Sequence, residues 1–207
     1  MRTLRLGDEL GPLVAALAAG ELVAIPTDTV YGLACAAHDA RACARLLRAK
    51  GRAPAKPSAL LAGTVASLLA DVLPELDGVV AARVRRVLPG ALTLVLPNPG
   101  RRYPWLCGDE PERIGVRVPE LPDGLAAAIA RVPAVLATSL NEAGEPPATT
   151  LVVPPALAAH VAVAVDAGPA PGGVPSTVVD LTGAEPVVLR AGPVSLGEIR
   201  ALLDRRL

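Results

Sequence analysis

Residues 22–33 read LVAIPTDTVYGL and join a short apolar run, Leu22 to Ile25, to a polar turn that begins at Pro26. The apolar run predicts a buried strand, and the proline sets where that strand ends. Two small hydroxyl side chains, Thr27 and Thr29, follow directly. Ligand sites in open α/β sheets collect at the ends of strands. The stretch therefore predicts a central strand whose exit contributes to a binding site.

A group of cations follows at the end of the next predicted helix: Lys50, Arg52 and Lys56. Lys50 and Lys56 are the only lysines in the chain, because every other basic residue is arginine. A lysine ammonium is a compact charge on a flexible stem, which suits a phosphate or carboxylate ligand. Cations beside strand-end hydroxyls favour a site for an anion.

The helix that leads to these cations carries an arginine stripe, formed by Arg41, Arg45 and Arg48 and continued by Arg52. Spacings of three and four residues place the members on one helix face. The stripe has two interpretations: an ordinary solvated face, or an electrostatic approach for phosphate.

Composition limits the class of protein. A chain of 207 residues with 52% hydrophobic residues supports a single core, and with 1% aromatic residues and no Phe that core must consist of Ala, Val and Leu. A formal net charge of +0 gives no long-range field for nucleic acid, so any contact with RNA would be local. Three cysteines without a C-x-x-C pair favour reduced thiols in a cytoplasmic protein. No run approaches the roughly 20 apolar residues that cross a bilayer.

Strand and helix signals alternate along the chain and predict an α/β (α+β) fold, with a sheet covered by helices. Asp8, Asp39 and Thr64 are predicted helix caps, and Ser195 with Glu198 forms a capping box. Further strands are predicted at Leu92–Leu96, Ile114–Val118, Ala134–Ala137 and Val161–Val165, with two more before Arg190. The segment 97–113 is rich in Pro, Gly and charge, so a long loop is expected that covers a site.

Polar residues recur just past the predicted strand ends, which predicts one shared pocket. They are Thr27, Thr29, Ser139, Asn141, Ser176 and Arg190. The chain lacks the glycine-rich nucleotide loops G-x-x-x-x-G-K-[ST] and G-x-G-x-x-G, so basic and hydroxyl side chains would have to hold a nucleotide. No metal-ligand cluster is evident, and Cys35 is expected to be a buried thiol.

An ordered set of motifs resembles the YrdC-like family of L-threonylcarbamoyladenylate synthases. The motifs are PTDTVYGL, KGR followed by KP, LPGALTLVL, IGVRVP, ATSLNEAGEP, PSTVVD and VLRAGP. They span Leu13 to Leu203 and include the K-x-R pair, Lys50/Arg52, and the S-x-N pair, Ser139/Asn141. The resemblance implies a mostly mixed, twisted sheet and the short form of the family, with residues 1–207 as a single YrdC-like domain.

The resemblance also implies the reaction. L-threonine, bicarbonate and ATP would give threonylcarbamoyl-adenylate and pyrophosphate, with magnesium carried on ATP. A separate tRNA threonylcarbamoyl transferase would then use the product. Because both reactants are anionic, cations are needed to bring them together and to stabilise the transferring phosphoryl group.

Residue roles follow from the same resemblance. Lys50 and Arg52 would be the catalytic cations on the ATP phosphates. ATP would also contact Lys56, Ser139, Asn141 and Arg190. Thr29 and Ser176 would border threonine, and Arg117 would bind its carboxylate, because a guanidinium fork matches a carboxylate with two parallel hydrogen bonds.

Three positions depart from the family pattern: Leu61 replaces a histidine of some relatives, Pro147 a serine, and Leu140 a small residue within S-x-N. Two alternatives therefore remain. One is a YrdC-like paralogue that acts on another carbamate or amino acid. The other is a non-catalytic RNA-binding module, which the basic pocket and the arginine stripe suggest and which the near absence of aromatic residues disfavours.

Overall fold

The computed structural model describes residues 1–51, 56–142 and 144–204. The strands are β1 (Arg2–Arg5), β2 (Leu22–Ile25), β3 (Gly32–Ala36), β4 (Leu60–Leu61), β5 (Leu92–Pro97), β6 (Arg113–Arg117), β7 (Val135–Ser139), β8 (Val161–Asp166), β9 (Thr177–Asp180) and β10 (Val187–Arg190). The helices are α1 (Gly11–Ala18), α2 (Ala40–Ala49), α3 (Val65–Ser67), α4 (Gly78–Val87), α5 (Asp123–Ala130), α6 (Pro155–Ala158) and α7 (Leu196–Leu203). A π-helical turn, Leu68–Val72, continues α3, and a 3₁₀ turn spans Pro104–Leu106.

Within the described ranges, ten strands form one mixed sheet in the order β1-β8-β2-β3-β7-β4-β6-β5-β9-β10. Parallel pairs join β1 to β8, β8 to β2, β4 to β6 and β5 to β9, and the other neighbours are antiparallel. The predicted fold class, a mixed sheet covered by helices, is confirmed. No helix in this described part is both long enough and apolar enough to cross a membrane.

The expectation of a single core is wrong, because the sheet separates two apolar clusters. The larger cluster packs α2, the π-helical turn, α4 and α7 against one face. The smaller cluster packs α1 and α5 against the other face, where β2, β3 and β7 contribute Val23, Ala34 and Val135. Adjacent strand residues point to opposite faces, so strands buried on both sides contribute to both clusters.

The smaller cluster covers only half of its face. On β6, Arg113, Gly115 and Arg117 point away from the larger cluster, to which Val116 between them belongs. Arg117 pairs in register with Leu61, which is a member of the smaller cluster. Side chains of paired residues lie on the same face of a sheet. The face that α1 and α5 cover therefore continues beyond Leu61 into an open half, formed mainly by β4, β5, β6 and β9.

Several local predictions are confirmed. Strand β2 has the predicted bounds, and Asp39 caps α2 by accepting hydrogen bonds from the backbone N–H groups of Arg41 and Ala42 at 2.8 and 3.1 Å. Helix α2 ends at Ala49 with Lys50 as its C-cap, and Gly51 follows with a φ of +59°, a conformation that glycine adopts without strain. Ser195 and Glu198 form the predicted capping box of α7.

One prediction at the N-terminus is wrong, and one strand there was not predicted. Asp8 does not cap α1; its carboxylate accepts a hydrogen bond from the backbone N–H of Arg5 at 2.7 Å instead. The Arg2–Arg5 segment forms the edge strand β1, which the sequence reading missed because only Leu4 in it is buried. Strand β3 was missed for the opposite reason: Gly32–Ala36 is buried on both faces and shows no alternation of polar and apolar residues.

Candidate functional site

The open half of the sheet face is the floor of a cleft of about 900 Å³. Eight of the nine residues to which the family resemblance assigns a role line it: Thr29, Lys50, Lys56, Arg117, Ser139, Asn141, Ser176 and Arg190. The ninth, Arg52, lies outside the described residues. The segments that carry these side chains are far apart in the sequence, so the sheet order brings them together.

The turn after β2 is built by threonine hydroxyls. Thr27 Oγ1 donates to the carbonyl of Val30 at 2.7 Å and accepts from the backbone N–H groups of Thr29 and Val30. It also lies 3.0 Å from Thr29 Oγ1. Thr27 does not line the cleft and shapes the turn, so its inclusion in the shared pocket is wrong. Thr29 is fully buried and reaches the cleft.

The guanidinium of Arg117 lies against this turn. Its Nη2 forms an ion pair with Asp28 and donates to Thr29 Oγ1 at 2.8 Å. The second carboxylate oxygen of Asp28 accepts from the backbone N–H of Glu120 at 3.1 Å. Burial lowers the pKa of Arg117, and the carboxylate of Asp28 opposes that shift. The guanidinium of Arg117 is thus held in a mostly buried position beside the turn that follows β2.

Lys50 joins the K-x-R and S-x-N segments. Its ammonium donates to the carbonyl of Ser139 at 2.9 Å and also to the carbonyl of Asn141. The side-chain amide of Asn141 donates to the carbonyls of Glu142 and Glu145 at 2.9 and 2.6 Å. The cation at the end of α2 therefore holds the turn that follows β7.

Arg190, on the edge strand β10, contacts the residue before β9. Its Nη2 donates to the carbonyl oxygen of Ser176 at 2.6 Å and to Ser176 Oγ at 3.2 Å. Ser176 is buried, and its hydroxyl lies 2.8 Å from Thr93 Oγ1 on β5. Arg190 is also close enough for its charge to lower the pKa of Arg117. Two arginines thus approach the same region from different strands.

Buried polar atoms without a hydrogen-bond partner concentrate at this cleft. Among the described residues such atoms are Ser58 Oγ, Arg86 Nε, Arg113 Nε, Arg117 Nε and Asn141 Oδ1, and all but Arg86 belong to residues that line the cleft. Buried polar groups in folded proteins are normally paired. Their clustering here indicates a surface that is completed by a polar ligand or by water.

Sequence reasoning missed Ser58 and Arg113. Arg113 lies four residues before Arg117 on the same strand, so the period of two could have identified it as a cleft residue. It pairs with Glu110 at 3.1 Å and with Asp180. Ser58 had no sequence signal, because a lone serine in an apolar run is usually a turn residue.

The long loop between β5 and β6 packs against the body of the protein. Asn98 is buried, and its amide donates to the carbonyls of Arg102 and Pro111, both at 2.9 Å. Trp105 Nε1 donates to the carbonyl of Ala37 at 3.0 Å. Cys107 in this loop lines the cleft, together with Asp109 and Glu110. The loop therefore forms one wall of the cleft.

The remaining sequence candidates lie elsewhere. Cys35 is a buried thiol, as predicted; its hydrogen bond with Cys43 and its burial raise its pKa. Arg41, Arg45 and Arg48 are exposed and absent from the described lining of the cleft, and Arg45 donates to the carbonyl of Gly20. This placement favours the solvated-face interpretation of the stripe. No group of three or more His, Cys, Asp or Glu within the described ranges could hold a metal ion.

The three departures from the family pattern differ in position. Leu61 lines the cleft and is buried in the smaller cluster. Leu140 points into the larger cluster, and its backbone N–H donates to the carbonyl of Tyr31 at 2.9 Å. Pro147 is outside the described lining. Of the three side chains, only that of Leu61 is placed to contact a ligand.

Comparisons with known proteins agree with this geometry. The Sua5/YciO/YrdC family model, described as telomere recombination, matches residues 15–192. A Mycobacterium tuberculosis protein provisionally named threonylcarbamoyl-AMP synthase is 39% identical over 191 residues, which cover 92% of this chain and 87% of the relative. The threonylcarbamoyl-AMP synthase of Chromohalobacter salexigens is 35% identical over 178 residues, which cover 86% of this chain and 95% of the relative.

A solved structure extends the likeness to three dimensions. The crystal structure of P. abyssi Sua5 complexed with L-threonine superposes with a TM-score of 0.78 at 28% identity. The match covers 98% of this chain and 60% of that longer protein. The family model, the sequence relatives and the fold all point the same way, and this chain belongs to the Sua5/YciO/YrdC family.

Proposed function

We propose that this protein is a threonylcarbamoyl-AMP synthase, which makes threonylcarbamoyl-AMP and pyrophosphate from L-threonine, bicarbonate and ATP. Its relatives carry the name of this activity. The observation that carries the proposal is the convergence of cations and unpaired buried polar atoms on one cleft of about 900 Å³. A cleft of this size is in the range of small-molecule sites.

On the nucleotide side, Lys50 and Arg52 contact the phosphates of ATP and stabilise the charge that develops during transfer. Lys56, Ser139, Asn141 and Arg190 complete this subsite. The link from Lys50 to the carbonyls of Ser139 and Asn141 supports the assignment, because it makes the K-x-R and S-x-N segments one unit. The buried Asn141 Oδ1 has no partner in the described part of the protein and can accept a hydrogen bond from a ligand.

On the amino-acid side, Arg117 binds the threonine carboxylate, and Thr29 and Ser176 border the rest of the substrate. The buried Nε–H of Arg117 lacks a partner among the described residues, so the guanidinium is not fully satisfied without a ligand. Thr29 is positioned by its hydrogen bond with Arg117 at 2.8 Å. A charge-assisted pair between guanidinium and carboxylate is among the stronger polar contacts in proteins.

The chemistry requires positioning and charge stabilisation. The threonine amine adds to the carbon of bicarbonate and water leaves, which gives a carbamate. An oxygen of the carbamate then attacks the α-phosphate of ATP, and the bond to pyrophosphate breaks. Cations of the two subsites hold two anions in reach of each other and offset the charge on the leaving group. Magnesium is expected to arrive on the ATP phosphates, because it keeps several waters and binds substrate phosphates readily.

The test is pyrophosphate release by the purified protein with ATP and bicarbonate, with single amino acids supplied in turn. Release that requires both threonine and bicarbonate is the expected result. Release that proceeds equally without bicarbonate would contradict the proposal, because no carbamate would then form.

A paralogue activity on another amino acid or carbamate is the second candidate, and the position of Leu61 among the residues that line the cleft favours it. Release of pyrophosphate with a different amino acid and not with threonine would select this candidate. Under either activity we further propose a cytoplasmic, single-domain protein. A tRNA threonylcarbamoyl transferase would consume the product of the synthase, and direct contact with tRNA would be weak.

A further inference from the structure

Asp28 does not line the cleft itself, but it contacts two residues that do. It is nearly buried and is absent from the described cleft lining, whereas Arg117 and Thr29 are part of that lining. One carboxylate oxygen pairs with Arg117 Nη2, and the other accepts from the backbone N–H of Glu120 at 3.1 Å. The carboxylate thus ties the guanidinium to the segment that follows β6.

The surrounding chain holds Asp28 in place. The backbone N–H of Gly173 donates to the carbonyl of Thr29 at 2.8 Å. A Cβ atom on Gly172 would lie 2.9 Å from the carbonyl oxygen of Asp28 and 2.9 Å from the Cα of Thr29. Such close approach is possible only for glycine. The turn that carries Asp28 is therefore held from behind as well as by its own hydrogen bonds.

Arg117 needs such a partner. A buried guanidinium loses hydration, and the nearby charge of Arg190 adds repulsion. Asp28 is the described carboxylate that pairs with it. Asp28 and Thr29 both accept from Nη2, whereas the Nε–H has no partner among the described residues, so the carboxylate fixes one end of the guanidinium and leaves its Nε–H unsatisfied.

We propose that Asp28 is a positioning residue, which holds Arg117 and Thr29 in the orientation that receives the carboxylate of the amino-acid substrate. The proposal rests on the proposed function, and it adds a residue that acts through Arg117 without touching the substrate. Loss of the negative charge leaves a buried cation uncompensated and free to turn, so binding of the amino acid weakens and the nucleotide subsite at Lys50 is unaffected.

The experiment compares Asp28→Asn with the wild-type protein by pyrophosphate release at varied threonine and varied ATP. The KM for threonine is expected to rise about tenfold, which is the scale of one hydrogen bond to a charged group. The KM for ATP is expected to change by less than about twofold, because Asp28 has no described contact with Lys50, Ser139 or Asn141 and because Ser176 holds Arg190. Glu75→Gln is the matched control: it removes the same charge from an ion pair with Arg102 outside the described cleft lining and should change neither KM.

A double-mutant cycle separates positioning from a general structural effect. In an Arg117→Lys background, Asp28→Asn should change the KM for threonine by less than about twofold, because residues in contact are coupled. A full tenfold effect in that background, or equal increases in both KM values for Asp28→Asn alone, would overturn the proposal.

The same double-mutant cycle is also measured by urea denaturation, which gives the free energy of unfolding without any substrate. Coupling between Asp28 and Arg117 in the free energy of unfolding is expected, and its absence would overturn the proposed contact. If the wild-type protein releases no pyrophosphate with any amino acid, the proposed function fails, and this measurement still decides whether Asp28 holds Arg117.

Discussion

The two halves of one sheet face differ in how they meet their surroundings. The half under α1 and α5 is closed by apolar side chains such as Leu13, Leu17 and Ile129, and its hydrogen bonds are those of the sheet itself. The half formed by β4, β5, β6 and β9 has no covering helix among the described elements and carries arginines and hydroxyls. Leu61 lies on the border and belongs to both.

The covered half contributes mainly to stability, and the open half contributes mainly to ligand binding. Apolar burial stabilises the covered half by roughly 25 cal/mol for each Å² removed from water. On the open half, polar atoms such as Ser58 Oγ and Arg117 Nε are buried without partners among the described residues, which costs stability. A face that keeps such atoms loses stability in the absence of a ligand and gains specific contacts when one binds.

The largest expected effect is on the open half. Lys50→Ala should slow pyrophosphate release by about 100- to 1,000-fold, because one preorganised electrostatic contact contributes on that scale. Arg48→Ala is the matched control, since Arg48 lies on the last turn of the same helix, is exposed and does not line the cleft. Steady-state kinetics measures both variants, and the rate of pyrophosphate release by Arg48→Ala should equal that of the wild-type protein. Similar rates for wild type and Lys50→Ala would remove Lys50 from the catalytic machinery.

The second largest expected effect is a loss of stability, and it concerns the half that α1 and α5 cover. Leu13 is 0% exposed, and Leu13→Ala should lower the free energy of unfolding by about 3 kcal/mol through lost burial and a cavity. The activity of the folded fraction should stay at the wild-type level. Urea denaturation measures the first quantity, with Leu6→Ala at a 39% exposed position as the control. A large loss of activity in folded Leu13→Ala would mean that the two halves are not independent.

Ser58 tests whether unpaired polar atoms mark the ligand surface. Ser58→Ala should raise the free energy of unfolding by about 1 kcal/mol, because it removes a buried hydroxyl without a partner. It should also raise the KM of one substrate by about threefold to tenfold. Ser67→Ala is the contrasting control, since Ser67 is partnered in the capping box of α3 and its loss should destabilise. Unchanged KM values for both substrates would exclude the Ser58 hydroxyl from binding.

The smallest expected effect concerns the floor of the cleft. At Gly115 an added Cβ would meet nothing closer than Ala59 Cα at 3.5 Å, so Gly115→Ala should stabilise β6 by about 0.5–1 kcal/mol. The added methyl group points into the cleft and should raise a substrate KM. In contrast, a Cβ at Gly63 would lie 2.6 Å from the backbone N of Ala130, so Gly63→Ala should destabilise. Thermal unfolding of both variants checks the opposite signs, and destabilisation by Gly115→Ala would refute the open-floor geometry.

Much of the local structure was predictable because its causes are local. The apolar run of β2 and the caps of α2 and α7 depend on neighbouring residues, and the structure has them as predicted. Buried strand β3 and edge strand β1 were missed because neither shows the alternation that marks a half-buried strand. The role of Thr27 was misassigned because a hydroxyl near a strand end serves a turn or a ligand equally well until its partners are known.

The sequence by itself determined the class of the fold, the cations and hydroxyls of the candidate site and the family resemblance, because these depend on residue type and order. Only the tertiary structure decided that helices cover the central strands of the sheet on one face and leave half of the other face open. That property depends on which strands become neighbours and on where α1 and α5 lie. It also decided that Asp28 pairs with Arg117, a contact across 89 residues of sequence. Such long-range contacts form only when the whole sheet does, so no local pattern records them.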